Sequence, residues 1–327
     1  MTPGRRSGTV SVIVPVLNEE GNIPELVRRL KAALDGGPPF DVVFVNDGST
    51  DRTARVLRAM HAEDPRIKSV HLTRTFGHQA AISAGLRAAT GDAIVVMDGD
   101  LQDAPEVVPL FVARWLDGDD VVYAIRQSRQ ASWLKRIAYH VFYRLLARIS
   151  AIDLPLDSGD FSLMDRRVVD VLNAMPERTR FVRGMRGWAG FRQSGVPCAR
   201  ASRFAGTTKH TFATLVRLAL DGFFAFSRTP LQLASALGIA AAGAAFLMAL
   251  VLGVLRIVHA VPLHGWTALV VAVLFLGGVQ LICLGILGEY VGRIYDEVRA
   301  RPSFVIAAVV GDTRLSSDAG TPVELEP

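Results

Sequence analysis

Asp98 and Asp100 flank a glycine directly after the apolar run Ile94–Met97, and Asp103 lies three residues further on. Like charges crowded at one turn cost free energy unless a cation offsets them. A cluster of oxygen donors, with no His or Cys in the run, suits Mg²⁺ or Mn²⁺. An ion held by one or two carboxylates usually also holds substrate phosphates. An exposed acidic turn is the plain alternative for this motif alone.

Two other polar clusters follow apolar runs. Pro15, Asn18 and Glu19 close Val10–Val16, and Asn46-Asp47-Gly48-Ser49-Thr50-Asp51 follows Val42–Val45. Taken singly, the first reads as a turn and the second as a helix cap, because Ser49 or Asp51 caps well. Their common position after apolar runs is the stronger signal.

Positioning these clusters requires strands. Val10–Val16, Val42–Val45, Ser69–Leu72, Ile94–Met97 and Val121–Ala124 read as strands. Glu25–Leu34, Thr53–His61, Gln79–Ala89 and Pro105–Leu116 read as helices. This alternation predicts an α/β domain with a largely parallel, doubly wound sheet, whose ligands bind at the carboxyl ends of the strands. No GxGxxG follows the first strand and no Walker-type loop is present, which argues against a dinucleotide site and a P-loop.

The 327 residues are half apolar and one-fifth charged, with 36 Lys and Arg against 31 Asp and Glu. That composition excludes a disordered or collagen-like chain. Cys198 and Cys283 supply neither a disulfide framework nor a metal cluster. The apolar excess concentrates in Leu231–Leu255 and Trp266–Gly288, neither of which holds a charge. Each exceeds the roughly 20 residues needed to cross a bilayer. The short link Arg256–Gly265 makes the pair a hairpin. Arg217, Arg228, Arg293, Arg299 and Arg301 outside its ends outnumber Arg256 in the link, which places both termini in the cytoplasm. Small residues at four-residue spacing, Ala234, Gly238 and Ala242, and Gly288 and Gly292, suit close helix packing, within the hairpin or between protomers. The expected domains are a cytoplasmic domain over 1–226, two transmembrane helices within 227–292 (about 231–255 and 266–288), and a tail over 293–327, disordered from about Asp312.

Pro15, Asn18 and Glu19, Asn46-Asp47-Gly48-Ser49, and Asp98-x-Asp100-Leu101-Gln102-Asp103 together resemble glycosyltransferase family 2, with its GT-A fold. Arg74-x-Phe76-Gly77, Asp157-Ser158-Gly159-Asp160-Phe161, Arg203-x-x-Gly206-x-x-Lys209 and Gly288-Glu289-Tyr290-x-Gly292-Arg293 narrow the resemblance to the polyprenyl-phosphate glycosyltransferases, over residues 9 to 305. Thr75, Ala104, His210 and Asn46 depart from the usual Asn, Pro, Tyr and Asp. The resemblance implies a GT-A catalytic domain followed by the transmembrane hairpin. It implies that Pro15, Asn18, Glu19, Asp47, Gly48, Ser49, Arg74 and Gly77 hold the nucleotide. Asp98, Asp100 and Gln102 would hold Mg²⁺ or Mn²⁺ on the donor diphosphate. Asp98, Asp100, Asp157 and Asp160 would form the catalytic set, with Asp157 and Asp160 lining the sugar pocket. Arg203 and Lys209 would reach phosphates from a closing loop. It also implies a nucleotide-sugar donor, a polyprenyl phosphate acceptor in the bilayer, inversion at the sugar, and a homo-oligomer of the order of a tetramer. UDP-glucose is the first expected donor and GDP-mannose the second, with UDP-aminoarabinose or a UDP-N-acetylhexosamine as the alternative.

A lipid phosphate is mostly dianionic at neutral pH and is already a nucleophile, so a general base is dispensable. Cations must then offset its repulsion from the donor. From Ala124 to Ser150 there are six basic residues and no acidic ones. Arg136, His140, Arg144 and Arg148 recur every fourth residue beside apolar stripes, the pattern of an interfacial amphipathic helix. Arg126, Arg129 and Arg136 are therefore candidates for the acceptor phosphate. A second amphipathic stretch, Thr211–Phe226, leads into the first span. Two rival readings are weaker. A processive polysaccharide synthase needs more spans and a Gln-x-x-Arg-Trp motif, whereas Phe111 stands where its Gln would be, before Arg114-Trp115. A non-catalytic membrane scaffold has no reason to keep Asp98, Asp100 and Gln102. No nucleic-acid recognition motif accompanies the basic residues.

Overall fold

The computed structural model describes residues 6–126, 158–178, 180–198, 229–259 and 265–316. Asp157, Arg129, Arg136, Arg203, Lys209 and the two amphipathic stretches lie outside the described residues. The described residues form two compact units, the second falling within residues 210–300 and the first comprising the rest.

The first unit is built on an eight-stranded sheet of β1 (Val10–Val16), β2 (Phe40–Asn46), β3 (Ile67–Leu72), β4 (Ala93–Val96), β5 (Val121–Arg126), β6 (Ser158–Asp165), β7 (Gln193–Cys198) and β8 (Ile306–Val310). Their order is β7-β5-β6-β4-β1-β2-β3-β8. Strands β1 to β5 and β7 run one way; β6 is antiparallel to both β4 and β5, and β8 is antiparallel to β3. This is a mixed, mostly parallel GT-A-like sheet.

Burial on both faces explains why β1 reads as an unbroken apolar run, since every residue in it is buried. Its side chains alternate between faces. Val10, Val12, Val14 and Val16 join one core with Leu26 and Leu30 of α1 (Ile23–Leu34) and Phe111 and Trp115 of α4 (Val108–Leu116). Ile13 joins the other with Ile82 and Leu86 of α3 (His78–Ala88) and Val168 and Leu172 of α5 (Arg166–Ala174). Helix α2 (Thr53–Glu63) follows β2, and α6 (Val182–Trp188) precedes β7. The stretch expected as one helix from Pro105 opens as a 3₁₀ turn, Pro105–Val107, before α4 begins. Pro105 and Pro109 lack the N–H that an α-helical ladder needs, which favours an irregular start.

The tail departs from expectation. Within the stretch expected as a tail over 293–327, the chain adds β8 to the sheet edge and turns through Arg314–Ser316. Thr313 is 3% exposed and Leu315 9%. The apolar run Phe304–Val310 covers the open edge of β3, and Leu315 joins the α3-side core.

The second unit contains two long helices, α7 (Thr229–His259) and α8 (Trp266–Val298). They meet where the Cys283 thiol donates to the Ala234 carbonyl at 3.6 Å, with Ala234 buried. Many of their described apolar side chains are exposed: Ile239 is 75% exposed and Phe246 73%. Among the described residues, one segment is long and apolar enough to cross a membrane, Phe275–Val298, with 24 residues and mean hydropathy 1.5. Ala234–Met248 is a shorter apolar segment.

Candidate active site

The carboxyl ends of β1, β2, β3 and β4 share one edge of the sheet, so the loops after them converge there. Strand β6 runs the opposite way, which brings its beginning to that same edge. Its register against β4 pairs Val96 with Ser162, so Asp160 lies just past the end of β4. Direction alone therefore gathers residues far apart in sequence.

The first two loops are knitted together. Asn18 takes φ +57°, in the left-handed region that Asn tolerates. Its N–H donates to Ser49 Oγ at 2.9 Å, and its Oδ1 accepts from the Thr50 N–H at 2.8 Å. The Glu19 N–H donates to Thr53 Oγ1 at 3.0 Å, and the Arg52 N–H to Glu20 Oε2 at 2.8 Å. Pro15 is buried within β1, opposite Val45.

Asp47 is 4% exposed and holds the loop after β3. Its Oδ1 accepts from the Phe76 N–H at 2.7 Å and its Oδ2 from the Gly77 N–H at 2.9 Å. Gly48 has φ +71°, and a Cβ there would sit 2.5 Å from backbone atoms of Arg74 and Thr75. No other residue fits that approach. Arg74 stacks its guanidinium 4.1 Å above the Phe76 ring and donates to the Thr75 carbonyl.

In the acidic loop, the Asp98 N–H donates to Asp103 Oδ2 at 3.2 Å and the Gln102 N–H to Asp100 Oδ1 at 3.1 Å. Leu101, at φ +62°, is buried and turns the chain there. Asp98, Asp100 and Gln102 thus share one loop. Among the described residues, no three His, Cys, Asp or Glu side chains converge as a metal site. The donors on this loop are all oxygens, as Mg²⁺ or Mn²⁺ requires, and such ions commonly take their remaining ligands from phosphate and water.

Helix α3 begins between these carboxylates. His78 Nε2 lies 3.5 Å from Asp98 Oδ1 and 3.6 Å from Asp160 Oδ2. Gln79 Nε2 donates to Asp160 Oδ2 at 3.2 Å, while Gln79 Oε1 accepts from the Val182 N–H at 3.0 Å. Burial alone would lower the His78 pKa, but the Asp160 bond and the charges of Asp98, Asp160 and Asp47 raise it. Burial likewise pushes Asp160 up, yet the His78 bond and the charges of Arg183, His78 and Arg186 bring it below the usual carboxylate value. Arg186 is 2% exposed, and burial pushes it down to about 10, with Asp160 partly offsetting this. Asp160 Oδ1, Arg186 Nε and Arg186 Nη2 are buried without hydrogen-bond partners among the described residues.

The structure therefore brings together Pro15, Asn18, Glu19, Asp47, Gly48, Ser49, Arg74, Gly77, Asp98, Asp100, Gln102 and Asp160 on one sheet edge. Arg126 ends β5, whose carboxyl end lies at that edge. Sequence reasoning missed His78, Gln79, Arg183 and Arg186. Their one visible signal was a pair of polar residues, His78 and Gln79, immediately after the Gly77 of a recognised motif.

The model of the family described as glycosyl transferase family 2 matches residues 11–172. An uncharacterized glycosyltransferase of Bacillus subtilis strain 168 is 43% identical over 303 residues, covering 92% of this chain and 94% of its own. The SfII prophage-derived bactoprenol glucosyl transferase of Shigella flexneri is 40% identical over 299 residues, covering 91% of this chain and 97% of its own. The prophage bactoprenol glucosyl transferase homolog of Escherichia coli K12 is 39% identical over 302 residues, covering 92% and 99%. A chain so similar along nearly its whole length belongs to glycosyl transferase family 2 and is a glycosyltransferase.

Proposed function

We propose that the protein transfers a hexose from a nucleotide sugar to a polyprenyl phosphate in the membrane. UDP-glucose is the favoured donor and GDP-mannose the next. The observation that carries this reading is end-to-end similarity to proteins named bactoprenol glucosyl transferases, in a chain whose carboxylates Asp47, Asp98 and Asp160 share one sheet edge.

The knitted loops at Asn18–Glu19 and Asp47–Ser49 form the floor for the nucleoside, and Asp47 holds the Phe76–Gly77 backbone as part of that floor. Asp98, Asp100 and Gln102 are the residues to hold Mg²⁺ or Mn²⁺. When bound, the ion supplies Lewis-acid stabilisation to the leaving diphosphate. Asp160, kept ionised and fixed by Gln79, lines the sugar site. An oxygen of the acceptor phosphate attacks the anomeric carbon while its bond to the diphosphate breaks. The nucleoside diphosphate departs, and the configuration inverts from α to β. The attacking oxygen carries no proton to remove, so the side chains bind, orient and balance charge. Arg126, Arg129, Arg136, Arg203 and Lys209 are the cations assigned to the phosphates, and Asp157 joins Asp160.

Helices α7 and α8 are read as two spans with both termini cytoplasmic. Their outward apolar side chains suit lipid, and the arginines flanking the pair set the orientation. Small residues on these helices suit association into a homo-oligomer.

The test is transfer of labelled sugar into the organic-soluble fraction by membranes carrying the chain. UDP-glucose, GDP-mannose and UDP-N-acetylglucosamine are supplied separately, with Mg²⁺ or Mn²⁺ and undecaprenyl phosphate. Lipid-phase label from UDP-glucose, lost in Asp100→Ala, is the expected result. Label in no tube, with no nucleotide binding, would favour the scaffold reading instead.

A further inference from the structure

Behind the nucleotide loops lies a buried polar chain that the proposed reaction does not use. His71, on β3, pairs in register with Asn46 at the end of β2. His71 is 4% exposed, Asn46 4% and Ser69 1%. Asn46 Nδ2 lies 3.1 Å from His71 Nδ1, and His71 Nε2 lies 3.0 Å from Ser69 Oγ. Asn46 Oδ1 accepts from the Ser49 N–H at 3.0 Å. Ser49 Oγ in turn accepts from the Asn18 N–H, and Asn18 Oδ1 from the Thr50 N–H.

The donors and acceptors in this chain have a single consistent assignment. Asn46 Oδ1 is committed to the Ser49 N–H, so its amide N–H₂ faces the imidazole. His71 Nδ1 must therefore accept, and the ring carries its proton on Nε2, where it donates to Ser69. A flipped Asn46 amide would set its N–H₂ against the Ser49 N–H, two donors face to face, which is costly in a buried site. His71 thus accepts from the one amide orientation that anchors Ser49, and so braces Ser49 and, through it, the Asn18 turn.

We propose that His71 is a positioning residue for nucleotide binding, acting through Asn46 to fix both knitted loops. This rests on the reading that those loops hold the nucleotide. Removing the imidazole acceptor leaves Asn46 free to rotate, so donor affinity suffers while the reacting groups at Asp98, Asp100 and Asp160 stay in place.

The test uses the full chain in lipid nanodiscs, with labelled UDP-glucose and undecaprenyl phosphate. His71→Phe should raise the donor KM about tenfold, the effect of losing one buried hydrogen bond, with kcat within about twofold. Asn46→Ala, which also removes the acceptor of the Ser49 N–H, should raise the donor KM at least as much, and the double variant should be no worse than Asn46→Ala alone, because His71 acts through Asn46. Ring-¹⁵N histidine spectra give an independent readout. The wild type should show an unprotonated Nδ1 for His71. In Asn46→Asp the carboxylate demands a donor, so the proton should move to Nδ1 while the Ser69 hydroxyl rotates to donate to Nε2. That signature is readable even if His71→Phe does not fold. An unmoved donor KM in a folded His71→Phe variant, additive single effects, or a protonated Nδ1 in the wild type would overturn the proposal. A wild-type chain without affinity for any of the three nucleotide sugars would instead overturn the underlying reading of the site, and the proposal with it.

Discussion

Replacing Asp47 with Asn changes one atom and reverses the hydrogen-bonding sense of half the side chain. In the native fold both carboxylate oxygens accept backbone N–H groups, from Phe76 at 2.7 Å and Gly77 at 2.9 Å, in a buried position. Asn retains one acceptor. The other bond is lost, and an amide N–H₂ is set against a part-buried backbone N–H, donor to donor. A hydrogen bond to a charged group contributes about 1.5–3 kcal/mol, and the surviving neutral bond is weaker by a further fraction. The cost to closing the Phe76–Gly77 loop is therefore about 3 kcal/mol, or roughly 100-fold in its opening equilibrium. Global unfolding is a poor assay for a chain of two units, because a single transition is not assured. Hydrogen exchange followed by mass spectrometry reads the loop directly. The peptide containing Phe76 and Gly77 should exchange about 100-fold faster in Asp47→Asn, the β1 and β2 peptides should be unchanged, and UDP affinity should fall. Exchange accelerated by less than about threefold would refute the assignment of Asp47 as the anchor of that loop.

Gly48→Ala forces a Cβ to within 2.5 Å of the Arg74–Thr75 backbone at φ +71°. It should abolish measurable UDP binding in calorimetry while the circular dichroism of the domain persists. Asp160→Asn removes the charge facing His78 and should lower kcat about 100-fold, as loss of a preorganised electrostatic partner does, with donor KM changed less than about threefold in steady-state assays. His71 links stability to pH: burial, then the charge of Arg58, lower its pKa from 6.5 to about 4. Between those values the unfolded chain binds more protons than the folded one, so stability falls as pH drops through that window. The contribution at pH 5 is a loss of about 2 kcal/mol relative to pH 7.5, visible as a lower opening free energy of the β2 and β3 peptides in hydrogen exchange, a pH dependence that His71→Phe should largely flatten.

What the sequence disclosed and what it hid follow from how far each signal reaches along the chain. Strands β1 to β5 and helices α1 to α4 were legible to within a few residues, because burial on both sheet faces writes unbroken apolar runs that alternate with amphipathic helices. The polar residues closing β1, β2 and β4 were legible for the same reason. Strand β6 was not, because Ser158–Asp165 mixes polar and apolar residues and its reversed direction leaves no local mark. That direction is what carries Asp160 to the active edge. His78 and Gln79 look like an ordinary first helical turn until Asp98, Asp160 and Val182 are placed around them. Strand β8 was hidden for another reason. Its apolar run follows the long helix α8 and precedes a polar terminus, so composition assigned it to a tail, whereas the exposed edge of β3 gives it a place in the sheet. The Asn46–His71 pair depends on strand register, which periodicity cannot supply.

The central claim is that a phosphate monoester on a polyprenyl chain is the nucleophile. The most direct measurement supplies the purified chain with labelled UDP-glucose, Mg²⁺ or Mn²⁺, and in parallel undecaprenyl phosphate, undecaprenol or water alone. Lipid-phase label should appear with undecaprenyl phosphate only, because only that acceptor carries an ionised oxygen needing no base. Equal label with undecaprenol, or release of free glucose without lipid product, would contradict it.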